Sequence, residues 1–377
     1  MPQRPFSTTA GRTGRTDNER RLLTLVRDFG PLSRADLARR TGLAPLSVTR
    51  LIGDLIEEGL VVEGERVIAG RGQPSLPLSL APDAAFAYGV SIAEDALSVV
   101  LIDLQGRVRA QRREPFDAFD KDAAIARLAD SFDEMAGEAL IDRDRLFGVG
   151  VAVSGFFTGQ RRQINTPLVM EQWALADLDA EFSARFGLPV WIDNDGNAAA
   201  MGEALYGLGK ALSSFAYLYV GRGLGGGVVL DGRLWRGRNG NAGEFTGVLP
   251  PERREDRPTL QLLRTLLEAD GRRFDSIEAM LAGLPDGDPI IDRWAERARA
   301  QFEAILSAIA AIVDPEAIVL GGRLTPALAD ALIARSAFYT APVRDLDRAF
   351  PPLLRSRVEG DATALGAAAL AFGDHFF

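Results

Sequence analysis

Residues 189–203 read Pro-Val-Trp-Ile-Asp-Asn-Asp-Gly-Asn-Ala-Ala-Ala-Met-Gly-Glu. The pattern predicts an apolar strand that delivers four Asp and Asn residues to its carboxyl end, where an alanine-rich helix begins. Ligands of open α/β sheets bind outside the carboxyl ends of strands. Asp and Asn are also common cap and turn residues, but four of them in five positions exceed what a helix cap requires. We therefore predict that Asn194 and Asp195 bind a ligand rich in hydroxyl groups.

A strand–turn–strand pattern occurs twice in the chain. Residues 88–106 contain Tyr-Gly-Val-Ser-Ile and then Val-Val-Leu-Ile-Asp-Leu-Gln-Gly, and residues 218–232 contain Leu-Tyr-Val-Gly and then Gly-Val-Val-Leu-Asp-Gly. A separation of about 130 residues is too long for a solenoid repeat and predicts a duplicated α/β unit, with two lobes and a cleft between them. A chance likeness between two hairpins is the alternative.

Two other segments supply candidate site residues. Residues 146–155 predict a buried strand that ends at Ser154 and Gly155, and Asn165 lies in a loop soon afterwards. A second polar loop, rich in glycine, contains Glu244, whose carboxylate can accept two hydroxyl hydrogen bonds. An ordinary surface glutamate is the alternative for Glu244.

Two later segments predict packing helices. Residues 291–313 carry apolar side chains at helical spacing, which indicates a core face or a dimer surface. Residues 362–372 are rich in small side chains and predict a helix suited to close packing.

The N-terminal part of the chain predicts three short helices. The first begins at Glu19, and the second opens with a capping box that runs from Ser33 to Asp36. Pro45 suits the first position of the third helix. A turn at Gly42 joins the second and third helices, which is the arrangement of a helix-turn-helix.

The third helix leaves Ser47, Thr49 and Arg50 off its apolar stripe and near its N-terminal half. This is the part of a recognition helix that reads base edges in the major groove. A three-helix protein–protein module with solvated arginines is the alternative.

Residues 59–68 predict a small β-hairpin, which would form a wing beside the helices. The strip that follows, residues 70–74, is basic and glycine-rich. Arg71 and Gln73 in this strip are candidates for contact with the minor groove.

Composition excludes several kinds of chemistry. The 377 residues include no cysteine and a single histidine, His375. Disulfides, cysteine-ligated metals, thiol nucleophiles and histidine-based catalysis are therefore ruled out or improbable. The longest uncharged stretch, residues 146–160, is shorter than the ~20 residues of a membrane-spanning helix. The first 20 residues lack the apolar core of a secretory signal, so we expect a cytoplasmic protein.

Charge is unevenly distributed along the chain. Residues 1–75 have a net charge of +3, whereas residues 76–377 have a net charge of −12. This asymmetry favours a basic N-terminal segment that binds a polyanion, and an acidic remainder of the chain that does not bind one.

The chain resembles the transcriptional repressors of the ROK family (repressors, open reading frames and kinases) over nearly all of its length. The matching motifs are residues 189–203, 221–227, 237–244 and 314–322. The resemblance implies an α/β, actin-like or hexokinase-like sugar-kinase fold, that is, a duplicated βββαβα unit in two lobes, behind a winged helix-turn-helix.

The resemblance also implies a division of the chain and a set of ligand contacts. Residues 1–18 would be a disordered basic arm, residues 19–75 the winged helix-turn-helix and linker, and residues 76–377 the two-lobed domain that binds the effector and forms oligomers. Asn194, Asp195 and Glu244 would contact a sugar, with Asp195 at the general-base position of the kinase members. The remaining implied pocket residues are Ser154, Gly155 and Asn165.

The chain departs from the family pattern in three places. The Asp-x-Gly-Gly-Thr phosphate loop of the kinases is replaced by residues 91–95, Ser-Ile-Ala-Glu-Asp, whose carboxylates would repel a triphosphate. The second phosphate loop carries Arg222 in place of threonine. The histidine and three cysteines that hold zinc in the family are missing. We therefore expect no metal, no cofactor and no enzyme activity.

The sequence thus favours a DNA-binding repressor of carbohydrate-metabolism genes. Its expected partners are double-stranded operator DNA, a sugar or sugar derivative in the cleft, and a second copy in a homodimer, with a tetramer left open. A residual sugar kinase and a repressor with a decayed, ligand-blind pocket are the alternatives. Arg222 favours an effector with a phosphate or carboxylate, unless it pairs with an acid of the chain itself.

Overall fold

The computed structural model describes residues 15–65, 76–115, 120–159 and 163–377. These residues form an N-terminal head and two lobes, each built on a five-stranded sheet. The helices are α1 (Asp17–Phe29), α2 (Arg34–Thr41), α3 (Pro45–Glu57), α4 (Lys121–Glu138), α5 (Leu178–Phe186), α6 (Asp195–Tyr206), α7 (Leu260–Ala269), α8 (Ile277–Ala282), α9 (Pro289–Ile312), α10 (Pro326–Arg335) and α11 (Ala362–Phe376). The strands are β1 (Val61–Glu63), β2 (Leu78–Leu80), β3 (Phe86–Ile92), β4 (Ala96–Asp103), β5 (Val108–Pro115), β6 (Leu146–Val153), β7 (Phe156–Thr158), β8 (Gln163–Asn165), β9 (Val190–Asn194), β10 (Phe215–Val220), β11 (Leu224–Leu230), β12 (Arg233–Leu234), β13 (Ala317–Gly322) and β14 (Leu353–Arg355).

Helix α1 begins at Asp17, two residues before the predicted start. Thr16 caps the helix: its hydroxyl accepts the backbone N–H of Glu19, and the Glu19 carboxylate accepts the backbone N–H of Thr16. This reciprocal capping box draws the chain into the helix earlier. Residues 16–18, which were predicted to belong to the disordered arm, therefore form the cap and first turn of α1, and residues 1–14 lie outside the described part of the chain.

The helix-turn-helix has the predicted local structure. The capping box between Ser33 and Asp36 is present at the start of α2. Gly42 ends this helix in the left-handed region with φ 72°, where glycine bears no steric penalty. Pro45 occupies the first turn of α3. Local hydrogen bonds and backbone preference thus determine where these two helices begin and end.

The hairpin predicted for residues 59–68 lies only partly within the described residues. Strand β1 pairs antiparallel with β2, with Val61 opposite Leu80, so its partner in the described residues comes from further along the chain. The predicted return strand falls in residues 66–75, which are outside the described ranges. A bridge between Leu32 and Leu78 also joins β2 to the head. The head sheet therefore extends past the domain boundary predicted at residue 75.

The two lobes have the same sheet topology, which confirms the predicted duplication. The first lobe has the strand order β5-β4-β3-β6-β9, and the second has β12-β11-β10-β13-β14. In each, an antiparallel meander of three strands is followed by two parallel strands. The β3–β4 turn, the start of α6 and the β10–β11 turn meet on one side of the two lobes. We call this side the cleft.

Helices α6 and α11 pack against each other between the two sheets. A Cβ placed on Gly366 of α11 would lie 1.7 Å from the carbonyl oxygen of Ala198 in α6. A Cβ placed on Gly150 of β6 would lie 1.7 Å from the carbonyl oxygen of Ala367. These glycines are required because the backbones touch, so the predicted small-residue helix is confirmed and is longer than expected.

The head shares a hydrophobic core with the end of α11. Buried head residues such as Leu22 and Leu23 belong to the same apolar cluster as Phe147, Phe372 and Phe376 of the first lobe. The head is therefore packed against the lobe that carries β9, rather than joined to it by a linker alone.

Helix α9 is a core helix. Its apolar stripe, including Trp294, Phe302 and Ile305, is fully buried, whereas Ile312 at its end is exposed. Of the helices in the described residues, none is long and apolar enough to cross a lipid bilayer.

Candidate ligand and nucleic-acid sites

The junction between β9 and α6 positions the predicted ligand-binding pair. Asn194 ends the strand and is the N-cap of α6, and its Oδ1 accepts the backbone N–H of Asn197 at 2.7 Å. Asp195 is the first residue of the helix. The helix begins here because an Asn side chain can satisfy an N–H that has no partner within the first turn.

The other two polar residues of this stretch hold the site together. Asp193 is buried and accepts hydrogen bonds from the Asn194 N–H at 2.9 Å, from Asn197 Nδ2 at 2.8 Å and from Arg236 Nε at 2.8 Å. Asn197 Nδ2 also donates to the carbonyl oxygen of Gly240 at 3.2 Å. This network fastens the loop before Glu244 to the end of β9. No local sequence signal identified Arg236, because it lies 43 residues from its partner.

Ser154, Asn194, Asp195 and Glu244 meet at the cleft. Ser154 Oγ donates to Asp195 Oδ2 at 2.8 Å, and Asn194 Nδ2 lies 3.4 Å from Glu244 Oε1. The structure therefore brings together residues that the sequence places in three separate segments. As a set, their hydroxyl, amide and carboxyl groups can both donate and accept hydrogen bonds, as a polyhydroxylated ligand requires.

Asn165 lies beside Gly155 at the edge of this group. Strands β7 and β8 pair with Phe156 opposite Asn165, and a Cβ on Gly155 would lie 2.5 Å from the Asn165 carbonyl oxygen. Asn241 fastens the Glu244 loop to the same hairpin, since its side chain both accepts from and donates to the backbone of Phe157.

Burial raises the pKa values of two carboxyl groups in the site. The pKa of Asp195 is raised to about 6 by burial, against the opposing effect of the hydrogen bond from Ser154. The pKa of Glu244 is raised to about 7 by burial and by the nearby charge of Asp195. Removing water from a carboxylate disfavours its charged form, and a second carboxylate adds to that effect.

The carboxylates in the β3–β4 turn form ion pairs across the cleft. Arg222 Nε lies 2.8 Å from Glu94 Oε2, and Arg323 Nη1 lies 2.7 Å from Asp95 Oδ1. The sequence predicted only that these acids would repel a triphosphate. The sequence left two roles open for Arg222: contact with an anionic effector, or an ion pair with an acid of the same chain. In the structure Arg222 forms the ion pair.

Helix α3 exposes the three predicted DNA-binding residues. Ser47, Thr49 and Arg50 all face solvent, and the Thr49 hydroxyl donates to the carbonyl oxygen of Pro45 at 2.9 Å. Within the described ranges Arg50 has no carboxylate partner, so its guanidinium is available to a base or phosphate. Arg71 and Gln73 lie in residues 66–75, outside the described part of the chain.

His375 takes part in aromatic packing: its ring centroid lies 5.0 Å from that of Phe147. In the residues that the structure describes, no group of three His, Cys, Asp or Glu side chains is arranged to hold a metal ion.

Two family models match separate parts of the chain. Residues 13–71 match the MarR family, and residues 87–256 match the ROK family. An uncharacterized protein, y4fQ, from Sinorhizobium fredii is 31% identical over 96% of this chain and 92% of its own length.

Two further relatives are named regulators. The xylose repressor of Bacillus spizizenii is 27% identical over 60% of this chain and 59% of its own length. The dual regulator NagC of Escherichia coli is 23% identical over 94% of this chain and 91% of its own length.

Solved structures agree with the fold. A ROK family transcriptional regulator described as a homolog of the E. coli MLC protein has a TM-score of 0.70 at 25% identity, and covers 95% of this chain and 96% of its own. A ROK family glucokinase from Streptomyces griseus has a TM-score of 0.62 at 21% identity and covers 76% of this chain and 99% of its own, with the same fold. The chain belongs to the ROK family and has a MarR-like helix-turn-helix domain in front of its two-lobed, sugar-kinase-like domain.

Proposed function

We propose that the protein is a DNA-binding transcriptional repressor controlled by a sugar or sugar derivative that binds in the cleft. The proposal is based on a polar site and a solvent-exposed helix in the same chain. Four polar residues lie together at the cleft: Ser154, Asn194, Asp195 and Glu244. In the head, α3 exposes Arg50 to solvent. Relatives named xylose repressor and NagC support the same function. Gly155 and Asn165 would line the sugar site, and Arg71 and Gln73 would contact the minor groove.

Two packed helices connect the proposed effector site with the head. Helix α6 begins at Asp195 and packs along α11, with Gly366 against Ala198 and Gly202 against Ala362. Helix α11 ends in the core that it shares with the head. A ligand that binds two arrangements of the lobes with different affinities would therefore shift the position of the head.

The active form would be a cytoplasmic homodimer whose two heads read half-sites related by a two-fold axis. A tetramer would be a pair of such dimers. We place the boundary between head and lobes directly after β2, in residues 81–85.

DNA affinity is measured with a fluorescently labelled DNA fragment taken from the region upstream of the protein's own gene. Arg50→Ala should weaken binding by about 1–3 kcal/mol, because a bidentate contact to a base is lost. Arg299→Ala, which removes an exposed arginine of α9, is the control and should bind as the wild type does. Equal binding by both variants would contradict the assignment of α3 as the recognition helix.

Effector control is tested by adding neutral, amino and phosphorylated sugars to the protein–DNA complex. An effector should release the DNA, and Asp195→Asn and Glu244→Gln should abolish the release while leaving DNA binding intact. If no sugar changes DNA binding or raises the melting temperature, the ligand-blind alternative holds. A ligand at 100 times its dissociation constant should stabilise the protein by about 2.7 kcal/mol.

We propose further that the protein is not a kinase. Residues 91–95 stand at the turn where a kinase would hold phosphate groups, but this turn has no glycine to cradle them, and its Glu94 and Asp95 already occupy Arg222 and Arg323 in ion pairs. ATP consumption in the presence of a hexose, lost in Asp195→Asn, would overturn this.

A further inference from the structure

One side chain on the exposed part of α3 is apolar. Leu46 is 82% exposed, more than Phe29 and Val62, the other large apolar side chains that the described head exposes. We propose that Leu46 contacts the C5-methyl group of a thymine in the major groove, and so makes the protein select a T·A base pair at one position of each half-site. The inference rests on the proposed function, because it names the base that one residue of α3 recognises.

Folding of the head does not require a leucine at this position. The core face of α3 is formed by Val48, Ile52 and Leu55, which are fully buried. Leu46 lies two residues before Val48, which is about 200° around the helix, so its side chain points away from that core. It is not a member of the hydrophobic cluster that the described head residues form. A polar side chain would fit the fold equally well, and the leucine therefore favours a contact with another molecule.

The surroundings of Leu46 favour DNA as that molecule. Arg50 follows Leu46 by one helical turn, and side chains at this spacing are neighbours on a helix surface. Ser47, Thr49 and Arg50 are all exposed, and such hydroxyl and guanidinium groups suit phosphates and base edges. Residues 1–75 have a net charge of +3, which attracts a polyanion. The N-terminal half of a recognition helix, where Leu46 lies, is the part that contacts base edges.

Thymine is the base that an apolar side chain can recognise. In the major groove thymine presents a methyl group, whereas the recognition groups of guanine, adenine and cytosine are hydrogen-bond donors and acceptors. Leu46 has no polar side-chain atom, so covering those groups would remove their water without supplying a hydrogen bond. Contact with the methyl group instead removes apolar surface from water on both molecules. Leu46 thus favours thymine and also penalises the other bases, which is what specificity requires.

The spacing of Leu46 and Arg50 predicts a pattern in the operator half-site. Arginine forms its commonest specific contact with guanine. The Cβ atoms of residues four apart on a helix are about 5–6 Å apart, and base pairs are stacked ~3.4 Å apart. Each half-site should therefore contain a guanine and a thymine, on either strand, within about two base pairs of each other.

The test removes the methyl group from the DNA. Operators are selected from a random duplex library with the full-length protein, and each thymine is then replaced in turn by deoxyuridine, which lacks only the C5-methyl group. At one thymine near the guanine, replacement in a single half-site should weaken binding by about 4-fold, which corresponds to ~0.8 kcal/mol for one apolar carbon group. Binding is measured at one fixed salt concentration, because phosphate contacts depend on salt.

Protein variants assign that methyl contact to Leu46. Leu46→Ala should bind the thymine and deoxyuridine operators with equal affinity, because the two changes remove the same contact. Leu46→Gln, put through the same selection, should change the preferred base at that position from thymine to adenine, with which glutamine pairs. Leu168→Ala removes a leucine of the first lobe that is 93% exposed, and this control should keep the 4-fold effect. Thermal unfolding checks that the variants are folded.

The outcomes separate the inference from the proposed function. If no deoxyuridine replacement weakens binding, or if Leu46→Ala remains as sensitive to it as the wild type, the inference is overturned and the proposed function stands. Dissociation of the Leu46→Ala protein into monomers, with its preference for thymine unchanged, would assign Leu46 to a contact between two copies and would also overturn the inference. A wild-type protein that selects no DNA sequence overturns both.

Discussion

The guanidinium group of Arg27 lies over the ring of Phe377, 4.2 Å from the ring centroid. Arg27 belongs to α1 of the head, whereas Phe377 directly follows α11. Arg15 lies over the neighbouring ring of Phe376 at 5.5 Å. The C-terminal end of α11 therefore packs against the head and shares its core, so the head is held by the last residues of the chain as well as by the segment that follows it.

This contact predicts that Phe376 connects the head to the lobes. Phe376→Ala removes a fully buried ring and should lower the free energy of unfolding by about 3–5 kcal/mol. The surviving folded protein should bind DNA with little response to the effector, because the head has lost its packing against α11. Chemical denaturation and DNA release measure the two effects. Phe29→Ala, at an exposed position of the head, should cost less than about 1 kcal/mol and keep the response.

Close packing of β6 against α11 makes Gly150 intolerant of a side chain. Gly150→Ala places a Cβ 1.7 Å from a backbone oxygen of Ala367, so the helix must move. The free energy of unfolding should fall by about 1–3 kcal/mol or more. Gly137→Ala in α4, where the added Cβ meets open space, should instead stabilise by up to about 1 kcal/mol. Equal effects of the two substitutions in urea unfolding would contradict the packing described for α11.

The Asp193–Arg236 pair should support effector binding without contacting the ligand. Asp193→Ala leaves the side-chain amide of Asn197 and the guanidinium of Arg236 without their buried acceptor. Stability should fall by about 1–3 kcal/mol, and effector affinity should fall because the Glu244 loop loses one of its attachments to the end of β9. Asp270→Asn breaks an exposed pair with Arg293 and should cost less than about 1 kcal/mol. Unchanged effector affinity in a folded Asp193→Ala protein would refute the supporting role.

The raised pKa values of Asp195 and Glu244 predict how stability depends on pH. Both folded-state values, about 6 and about 7, exceed the unfolded values of 3.8 and 4.5. Between about pH 4 and 7 the folded chain therefore binds more protons at these groups than the unfolded chain does. Their contribution to the free energy of unfolding is greatest at low pH and is lost as the pH rises through this window.

Amide variants measure that contribution. Asp195→Asn and Glu244→Gln should each reduce the loss of stability between pH 5 and pH 8, and should raise stability at pH 8 by about 1 kcal/mol. Urea unfolding at several pH values makes the comparison, with the exposed Asp286→Asn as control. An unchanged or steeper loss of stability with pH in the two amide variants would show that the carboxyl pKa values of Asp195 and Glu244 are not raised in the folded protein.

The local features of the chain were predictable because neighbouring residues create them. The capping box at Ser33, the turn at Gly42 and the start of α3 at Pro45 depend on hydrogen bonds and backbone preferences within a few residues. The β9–α6 junction is equally local, since Asn194 caps the helix that follows it. One local signal was missed: the capping box at Thr16, which starts α1 earlier than its apolar periodicity suggested.

The site was predictable in its residues but only partly in its geometry. Asn194, Asp195 and Glu244 could be chosen from residue type and spacing, and the structure brings them together with Ser154. Nothing in the spacing indicated that Arg236 holds Asp193, or that β1 pairs with a strand beyond residue 75. The tertiary fold determines these partners, because it brings together residues that are far apart in the sequence.

The sequence by itself determined the helix-turn-helix, the duplicated hairpins and the cluster of polar residues at the start of α6, because periodicity and capping act over short distances. Only the tertiary structure decided the charge of the cleft and the attachment of the head. Asp95 and Arg323 are 228 residues apart in the chain, and Arg27 and Phe377 come from opposite ends of the described residues. Electrostatic neutralisation and core packing depend on distance in space, which becomes defined only when the two lobes and the head have come together.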